Sequence, residues 1–446
     1  MRVAVIGAGI VGVTTAYELS VDGHEVTVFE RRDTVAAETS FANAGLVAPG
    51  YVTPWAAPGM PGKVLRHLMS RDAPVRLHAN FDLGWAWKWW RACRAETYRA
   101  NRLRMQRLAW FSRDRLHEIT RHLRLEYERR QGCLVLLRTA KDLALAQTGL
   151  ATLTELGTRF EALDAEQCRA IEPELASGTP LHAGIHLPDD EVGNCRQFAL
   201  LLRKKAEELG ARFVFETTVQ KLRGGPRPTL VHLRTPRQKP SVSPTSHGRH
   251  VSDAWPDTEP VAPEPVAEDY DAVVVCAALG SPMLLRPLGL KLPLRAVYGY
   301  SVTAPLRRGD HHPDPGPRSA LMDEHFKVAI SRLGTRIRVA GSAELGGSPL
   351  RHHPDAIATL YKVLTDWFPG AAQLQHAQHW KGARPMLPDG PPVLGASGID
   401  GVWLNLGHGS SGWALACGSA RLLADAIAAR TPSIDIEGLG IGRLRR

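Results

Sequence analysis

The first thirty or so residues constrain the fold most strongly, because they combine a strand, a glycine motif, a helix and a second strand. Val3–Ile6 is a short apolar run that ends at glycine, as a buried parallel strand does. The motif GAGIVG occupies residues 7–12, residues 10–21 have the pattern of a helix, and Glu25–Glu30 is a second strand. This order is a β-α-β unit, so an α/β architecture is predicted.

The glycine motif indicates that the unit binds a dinucleotide. Gly7 permits a tight turn, Gly9 lets the backbone approach a pyrophosphate, and Gly12 lets the helix pack close to the strand. Free N–H groups and the dipole at the helix start favour phosphates. Glu30, at the end of the second strand, can accept hydrogen bonds from ribose hydroxyls. The spacing of the motif does not by itself separate NAD from FAD.

Three further segments carry groups that suit a flavin and an acidic substrate. Residues 38–45 (ETSFANAG) can hydrogen-bond phosphate and pass close to an isoalloxazine ring, with an ordinary polar loop as the alternative. Residues 380–395 are predicted to hold Arg384 on a rigid turn for bidentate capture of a carboxylate, with a surface salt bridge as the alternative. Residues 405–413 open a final helix whose N-terminus would stabilise a reduced flavin. There His408 is a base, a flavin contact or a locally bonded turn residue.

The distribution of charge predicts a basic helical surface. The chain has 446 residues and a formal net charge of +10, and residues 88–130 hold twelve arginines and one lysine against five acids. The tryptophans in or near this stretch are Trp85, Trp87, Trp89, Trp90 and Trp110. Such a region can contact anionic lipid or be a solvated face over a core. No nucleic-acid motif is present, so nucleic acid is not expected as a partner.

Other features of the sequence bear on the cellular location and on metal or disulfide sites. No run of 18 or more apolar residues exists, so no spanning helix is expected. The N-terminal residues indicate a strand and turn rather than a signal peptide. Six cysteines are scattered without a C-x-x-C pair, which argues against a metal site and a disulfide framework. We expect a cytoplasmic protein, with the inner face of the cell membrane as an alternative location.

Taken together, these segments resemble the bacterial FAD-dependent D-amino acid dehydrogenases, within the wider D-amino acid oxidase and glycine oxidase group. The matching stretches are VAVIGAGIVGVTTAYELS, ETSFANAG, PWAAPG, YERRQG, FKVAISR, RIRVAGSAE, GARPMLPDGPPVLG and LNLGHGSSGWALACGS. They cover nearly the whole chain outside residues 224–268. The sequence departs from the group at two places that bear on which side chain the substrate carries. Leu46–Val47, directly after ETSFANAG, replace a polar pair, and residues 323–327 are DEHFK where the group has DExYK.

The resemblance implies an α/β fold in which an FAD-binding Rossmann-like domain is combined with a discontinuous antiparallel-sheet substrate domain. The FAD-binding domain would comprise residues 1–80, 190–290 and 385–446, and the substrate domain residues 81–189 and 291–384. Residues 236–266 hold many prolines with little periodicity, so we expect a flexible surface insertion there.

The resemblance also implies roles for single residues. The candidate catalytic residues are Arg384, which would hold the substrate carboxylate, Tyr298 and Tyr300, and His325. One of the two tyrosines is expected at the pocket wall, with packing as the alternative. The candidate FAD contacts are Val5, Ile6, Gly7, Ala8, Gly9, Ile10, Val11, Gly12, Glu30, Arg31, Thr39, Ser40, Ala44, Gly45, Val219, Ala277, Ala278, Gly280, Gly407, His408, Gly409, Ser410, Ser411 and Gly412. No residue is assigned as a general base.

The implied reaction is oxidation of a D-amino acid to an imino acid, which water hydrolyses to a 2-oxo acid and ammonia. FAD is the implied cofactor, and electrons would pass to a quinone, with peripheral membrane contact through the basic Trp-rich region. Two alternatives stay open. One is an oxidase that uses O2 on glycine, sarcosine or a D-proline derivative, and the other is a flavin-binding redox sensor without turnover.

Overall fold

The computed structural model describes residues 1–67, 73–78, 80–234, 264–307 and 315–445. The helices in these ranges are α1 (Ile10–Val21), α2 (Met60–His67), α3 (Leu83–Ala92), α4 (Ala95–Leu123), α5 (Ala140–Glu155), α6 (Ala165–Ile171), α7 (Cys195–Glu208), α8 (Ser281–Leu285), α9 (Pro354–Trp367) and α10 (Gly412–Ile427).

The strands are β1 (Arg2–Ile6), β2 (Glu25–Phe29), β3 (Leu46–Val47), β4 (Val75–Leu77), β5 (Arg130–Leu137), β6 (Glu161–Asp164), β7 (Ala183–Val192), β8 (Arg212–Val214), β9 (Thr217–Arg223), β10 (Thr229–Arg234), β11 (Val266–Asp269), β12 (Ala272–Val275), β13 (Arg295–Pro305), β14 (Ala320–Asp323), β15 (Val328–Leu333), β16 (Arg336–Leu345), β17 (Gln378–Met386), β18 (Val393–Ile399) and β19 (Val402–Leu406).

A six-stranded sheet in the order β18-β19-β12-β1-β2-β8 contains the predicted β-α-β unit. All its pairs are parallel except β18 with β19. Val3 and Val5 face a core shared with α1, α7 and α10, whereas Ala4 and Ile6 face the core under the small sheet β11-β10-β9. Because β1 is covered on both faces, it consists almost wholly of apolar residues.

A ten-stranded sheet runs β17-β13-β16-β15-β14-β5-β7-β3, with β4 paired to β16 and β6 to β7. Its pairs are antiparallel except β14 with β5 and β16 with β4. One face, which includes Tyr300 and Val302, packs on α9. The other face includes Val135 and Met322 and packs on residues 44–51. Loop 38–45 therefore meets the face of this sheet that α9 does not cover.

Most predicted elements are present, and the differences have physical reasons. The sequence DDEVGNC at residues 189–195 is typical of a loop, but residues 189–192 continue β7, because Asp190 accepts a hydrogen bond from the Gly50 N–H and Glu191 lies 2.9 Å from His117 Nε2. Residues 82–130, whose recurring Trp, Leu and Met are typical of helices, divide into α3 and α4. The chain leaves α4 at Arg124, whose φ of 52° is left-handed. Among the helices of the described ranges, none is long and apolar enough to cross a bilayer.

Two strands pair across the predicted domain boundaries. Strands β3 and β4 fall within the segment 1–80 expected in the FAD-binding domain, yet both pair in the ten-stranded sheet. The exact domain bounds stay a prediction. Thr229–Arg234, just before the predicted insertion, has the pattern of a strand and forms β10. Of the predicted insertion, residues 236–263 lie outside the described residues, while Val266 begins β11 and pairs with His232.

Candidate active site

The turn after β1 has the geometry that the glycine motif predicts. Gly7 has a φ of 100°, and a Cβ there would lie 2.8 Å from the Cys276 carbonyl oxygen at the end of β12. A Cβ at Gly12 would lie 2.9 Å from the Gly7 carbonyl carbon and closer still to its oxygen. Side chains at either position would push α1 away from β1 and β12, so the N-terminus of α1 stays close to the carboxyl edge of the sheet.

Glu30 follows β2 and turns back toward this glycine turn. Its Oε2 accepts a hydrogen bond from the Ala8 N–H at 2.7 Å, and its Oε1 accepts one from the Arg32 N–H at 2.8 Å. Burial raises the pKa of Glu30, and the two N–H donors work against that shift. The carboxyl group is therefore held beside the turn by backbone donors.

Loop 38–45 connects the glycine turn to the ten-stranded sheet. Ser40 Oγ accepts a hydrogen bond from the Ile10 N–H at 3.1 Å, in the first turn of α1. Thr39 Oγ1 donates to the Ala383 carbonyl on β17 at 2.7 Å. Arg31 forms a bidentate pair with Glu38 at the start of the loop. The loop therefore lies between the glycine turn after β1 and the strand that carries Arg384.

The remaining predicted cofactor residues lie in three places around the six-stranded sheet. Ala277, Ala278 and Gly280 follow β12, directly beside Gly7. Val219 is buried with Ile6 and Phe29. Gly407 and Gly409 have φ of 77° and 58° in the turn that precedes α10 at Gly412, so Ser410 and Ser411 stand at the start of that helix.

His408 lies in the same turn but is buried. Its Nε2 is 3.0 Å from Ser419 Oγ on α10. Burial lowers the pKa of His408 to about 3, so the imidazole is neutral at ordinary pH. The structure shows the local hydrogen bond to Ser419, and the predicted flavin contact of His408 stays a prediction.

Arg384 lies within β17, so the predicted rigid turn is wrong. Its Nη1 donates to the Ser342 carbonyl at 2.8 Å, and within the described ranges no carboxylate forms an ion pair with it. The guanidinium packs directly over Gly299, where a Cβ would lie 2.9 Å from Nη1 and closer to Cζ and Nη2. Burial lowers the pKa of Arg384 to about 10. The position of Arg384 is therefore fixed by strand β17 and not by a proline-rich turn.

The two predicted wall tyrosines are not brought together with Arg384. Val297 and Arg384 are paired across β13 and β17, so side chains at odd positions of β13 share the Arg384 face. Tyr298 and Tyr300 point to the opposite face, where Lys381 Nζ lies 4.5 Å and 5.1 Å from their ring centres. The predicted position at the substrate wall is corrected accordingly, because strand alternation separates them from the guanidinium.

On that opposite face the tyrosines join a buried charged cluster. Tyr300 OH donates to Glu344, whose carboxylate pairs with Lys381 at 2.8 Å and lies 2.8 Å from His78 Nε2. Lys381 Nζ also donates to the Ser348 carbonyl at 2.8 Å. The cluster fastens the edge strand that carries Arg384 to β16.

The fourth predicted catalytic residue, His325, also lies apart from Arg384. It stands in the turn between β14 and β15 and its side chain is 48% exposed. Its Nδ1 is 3.3 Å from Asp142 Oδ1 in the first turn of α5, and its ring packs on Phe326. The structure brings it to α5 rather than to the strands around Arg384.

Several residues at the Arg384 face were missed by the sequence analysis. The ring of Trp380 lies across Gly382, where a Cβ would be within about 2.5 Å of ring atoms, and both share the face of Arg384. Ser342 has a φ of 63° and supplies the carbonyl that Arg384 binds. The spacing Trp-x-Gly-x-Arg was a signal for a shared strand face that the turn interpretation obscured.

Comparison with known proteins supplies the family. A family model described as FAD dependent oxidoreductase matches residues 2–426. The chain is 43% identical to the D-amino acid dehydrogenase of Rhizorhabdus wittichii over 99% of this chain and 100% of that protein. It is 39% identical to the D-amino acid dehydrogenase of Bradyrhizobium diazoefficiens over 99% of both chains.

Solved structures share the fold at low sequence identity. Glycine oxidase from Geobacillus kaustophilus aligns with a TM-score of 0.72 and 18% identity, covering 99% of this chain and 98% of that one. L-proline dehydrogenase from P. horikoshii aligns with a TM-score of 0.69 and 15% identity, covering 100% and 98%. The predicted α/β fold with an antiparallel-rich second sheet is therefore confirmed.

Proposed function

Since this chain belongs to the family of FAD dependent oxidoreductases, we propose that it catalyses the oxidative deamination of D-amino acids to 2-oxo acids and ammonia. Full-length relatives at about 40% identity carry the name D-amino acid dehydrogenase. The observation that carries the proposal is Arg384, a guanidinium with a backbone carbonyl as its acceptor and no paired carboxylate in the described ranges. Such a cation suits a carboxylate that arrives with the substrate.

The residues around the glycine turn fit FAD. A pyrophosphate would lie against the N-terminus of α1, where Gly9 has no side chain to cover the backbone. Glu30 would exchange its bonds to backbone N–H groups for the ribose hydroxyls. Thr39 and Ser40 would lie beside the bound FAD. The turn Gly407–Gly412 would place N–H groups near the ring.

When bound, FAD supplies the acceptor for the hydride removed from the substrate Cα. Arg384 would bind the substrate carboxylate and so orient the Cα–H bond, which is catalysis by positioning. Trp380, which lies over Gly382 beside Arg384, would form a wall that excludes water. His408 is neutral and bonded to Ser419, so it holds the turn and does not take the substrate proton. A substrate amine that binds neutral needs no protein base.

The test is anaerobic reduction of the FAD-loaded enzyme by a panel of D- and L-amino acids, followed by kinetics of Arg384→Ala. We expect D-amino acids, and not their L-enantiomers, to bleach the visible flavin band. Loss of a charge-assisted bidentate contact should lower kcat/KM by about 10²–10³-fold, or about 3–4 kcal/mol. Near-native kcat/KM in the variant would refute the carboxylate role, and no bleaching by any amine would favour the sensor.

For the electron acceptor we propose a quinone reached at an anionic membrane surface. Leu83, Trp87 and Trp90 stand at positions i, i+4 and i+7 of α3 and are 82%, 57% and 50% exposed. The opposite face of the helix, with Trp85 and Trp89, is buried. Exposed Lys88, Arg91 and Arg94 flank the stripe. An apolar, aromatic stripe edged by cations has the chemistry of a helix that lies in a lipid interface.

Vesicle sedimentation tests this surface. We expect the enzyme to sediment with vesicles rich in phosphatidylglycerol, less so at high salt, and the double variant Trp87→Ser/Trp90→Ser to bind about tenfold more weakly. Leu209→Ser is the control, because Leu209 is 50% exposed like Trp90 but lies at the end of α7, which packs in a different core from α3. Equal binding by the double variant would refute the surface. Peroxide formation matched to substrate turnover would instead favour the O2-using oxidase.

A further inference from the structure

A cavity lies beside loop 38–45, on the same face of the ten-stranded sheet as Arg384 but at the other end of the strands. Of its described lining, only Trp380 has a role in the proposed reaction. Its volume is about 510 Å³. It is bounded by Phe41 and Ala42 of the loop, by the first turns of α7, and by the ends of β13, β16 and β17 that lie farthest from Arg384. None of the candidate FAD contacts lines it, and neither does Arg384. A cavity of this size accommodates a small organic molecule.

The walls of this cavity carry more positive than negative charge. Among the residues that the structure describes, three arginines line it, together with a single carboxylate, Glu128. That carboxylate is already bonded to Arg336 at 2.9 Å and to Asn194 Nδ2 at 2.7 Å. It therefore compensates Arg336 and leaves two arginines.

Arg338 is the more deeply buried of these two, with 6% exposure. Its Nε donates to Thr303 Oγ1 at 2.9 Å and its Nη1 to the Asn43 carbonyl at 3.0 Å, and in the described part of the chain it has no ion pair with a carboxylate. Burial, with the nearby charge of Arg336, lowers the pKa of Arg338 to about 10. The protein thus keeps a buried cation at the cavity wall with neutral acceptors alone.

Arg196 is the other arginine without a carboxylate partner in the described ranges. Its guanidinium carbon lies 4.2 Å from the centre of the Phe41 ring. Its Nε is buried and makes no hydrogen bond within those ranges. A buried donor without an acceptor is costly unless a ligand or water supplies the acceptor.

The other walls set the character of a ligand. Phe41, Leu200 and Trp380 give the cavity apolar and aromatic surface between the cations. We propose that this cavity binds an organic anion with at least two negative charges, held by Arg196 and Arg338. The anionic groups, whether carboxylate or phosphate, would complete the hydrogen bonding of the two guanidinium groups. Because Arg384 does not line the cavity, a test of anion binding there is independent of the test of the proposed reaction.

Calorimetric titration of the FAD-loaded enzyme with citrate and, separately, with inorganic pyrophosphate tests the proposal. We expect saturable 1:1 binding of at least one probe. Tighter binding of pyrophosphate would identify a phosphate-bearing ligand and tighter binding of citrate a polycarboxylate. Arg196→Gln should weaken binding at least about tenfold, which corresponds to about 1.4 kcal/mol. Arg203→Gln, on the same helix but outside the cavity, should leave it unchanged.

Three more variants distinguish a specific anion site from a general attraction to positive charge. Arg196→Lys should restore most of the affinity because it keeps the charge, and Gln197→Glu should lower the affinity by adding a carboxylate to the cavity wall. Binding must persist in Arg384→Ala. No binding of either probe, an equal loss in Arg203→Gln, or a loss in Arg384→Ala with none in Arg196→Gln would overturn the proposal.

Discussion

Replacing Gly299 by alanine should damage catalysis without damaging the fold. Gly299 lies in β13 with no left-handed φ, so an alanine backbone is acceptable there. The new Cβ would lie 2.9 Å from Arg384 Nη1 and closer to Cζ and Nη2, whereas an ordinary Cβ contact begins at 3.4 Å. The guanidinium is the flexible end of a side chain, so it can move aside by about 1 Å.

That movement allows the expected loss to be estimated. A displacement of about 1 Å of a substrate-binding group costs about 10²-fold in rate, or about 2.7 kcal/mol of transition-state stabilisation. Complete loss of the bidentate contact sets the upper limit at about 4 kcal/mol. The free energy of unfolding should change by less than about 1 kcal/mol, since alanine loses less conformational entropy than glycine in a strand and this gain offsets part of any packing strain.

The assay is kcat/KM with the best D-amino acid, together with thermal unfolding of the FAD-loaded protein. Gly149→Ala is the matched control, because a Cβ there meets no atom of the described part of the chain within 4 Å. The double variant Gly299→Ala/Arg384→Ala should be no slower than Arg384→Ala, since the alanine acts through the guanidinium. Native kcat/KM in Gly299→Ala, or additive losses in the double variant, would refute the reasoning.

Three further predictions concern stability. Gly418→Ala should destabilise the protein by about 1–2 kcal/mol in chemical denaturation, because the added Cβ on α10 would lie 2.8 Å from Ser112 Cα on α4 and the clash exceeds the gain in helix propensity. Lys381→Met should cost about 3 kcal/mol in the same assay, because it leaves the Glu344 carboxylate buried without its cation. Burial raises the pKa of the Asp190 carboxyl to about 7 in the folded protein. Because the folded state favours the protonated form, this group's contribution to the free energy of unfolding is present in full below about pH 4 and is lost as pH rises to 7. Asp190→Asn should therefore raise the free energy of unfolding at pH 8 by up to about 4 kcal/mol and by much less at pH 5; equal effects at both pH values would contradict this assignment.

Residues close together in sequence were predicted well. The turn at Gly7, the start of α1 and the return of Glu30 to the turn all lie within about thirty residues. Their geometry follows from backbone sterics and from the hydrogen bonds of a single β-α-β unit. Residues 189–192 show the limit, because buried acids in β7 are acceptable only where distant partners such as His117 supply the hydrogen bonds.

The face on which each side chain of β13 lies could not be deduced from the sequence. Tyr298 and Tyr300 necessarily share a face, but whether Arg384 joins them depends on how β13 and β17 are aligned. A shift of one residue in that register would reverse the answer, because side chains alternate along a strand.

The sequence by itself thus determined the nucleotide-type turn and identified Arg384 as a candidate for carboxylate binding. Only the tertiary structure decided that Gly299 makes room for the guanidinium, that Ser342 supplies its acceptor, and that the tyrosines belong to the α9 side. The physical reason is that the turn is a local backbone problem, whereas the site is assembled from strands whose register is set by the packing of the whole sheet.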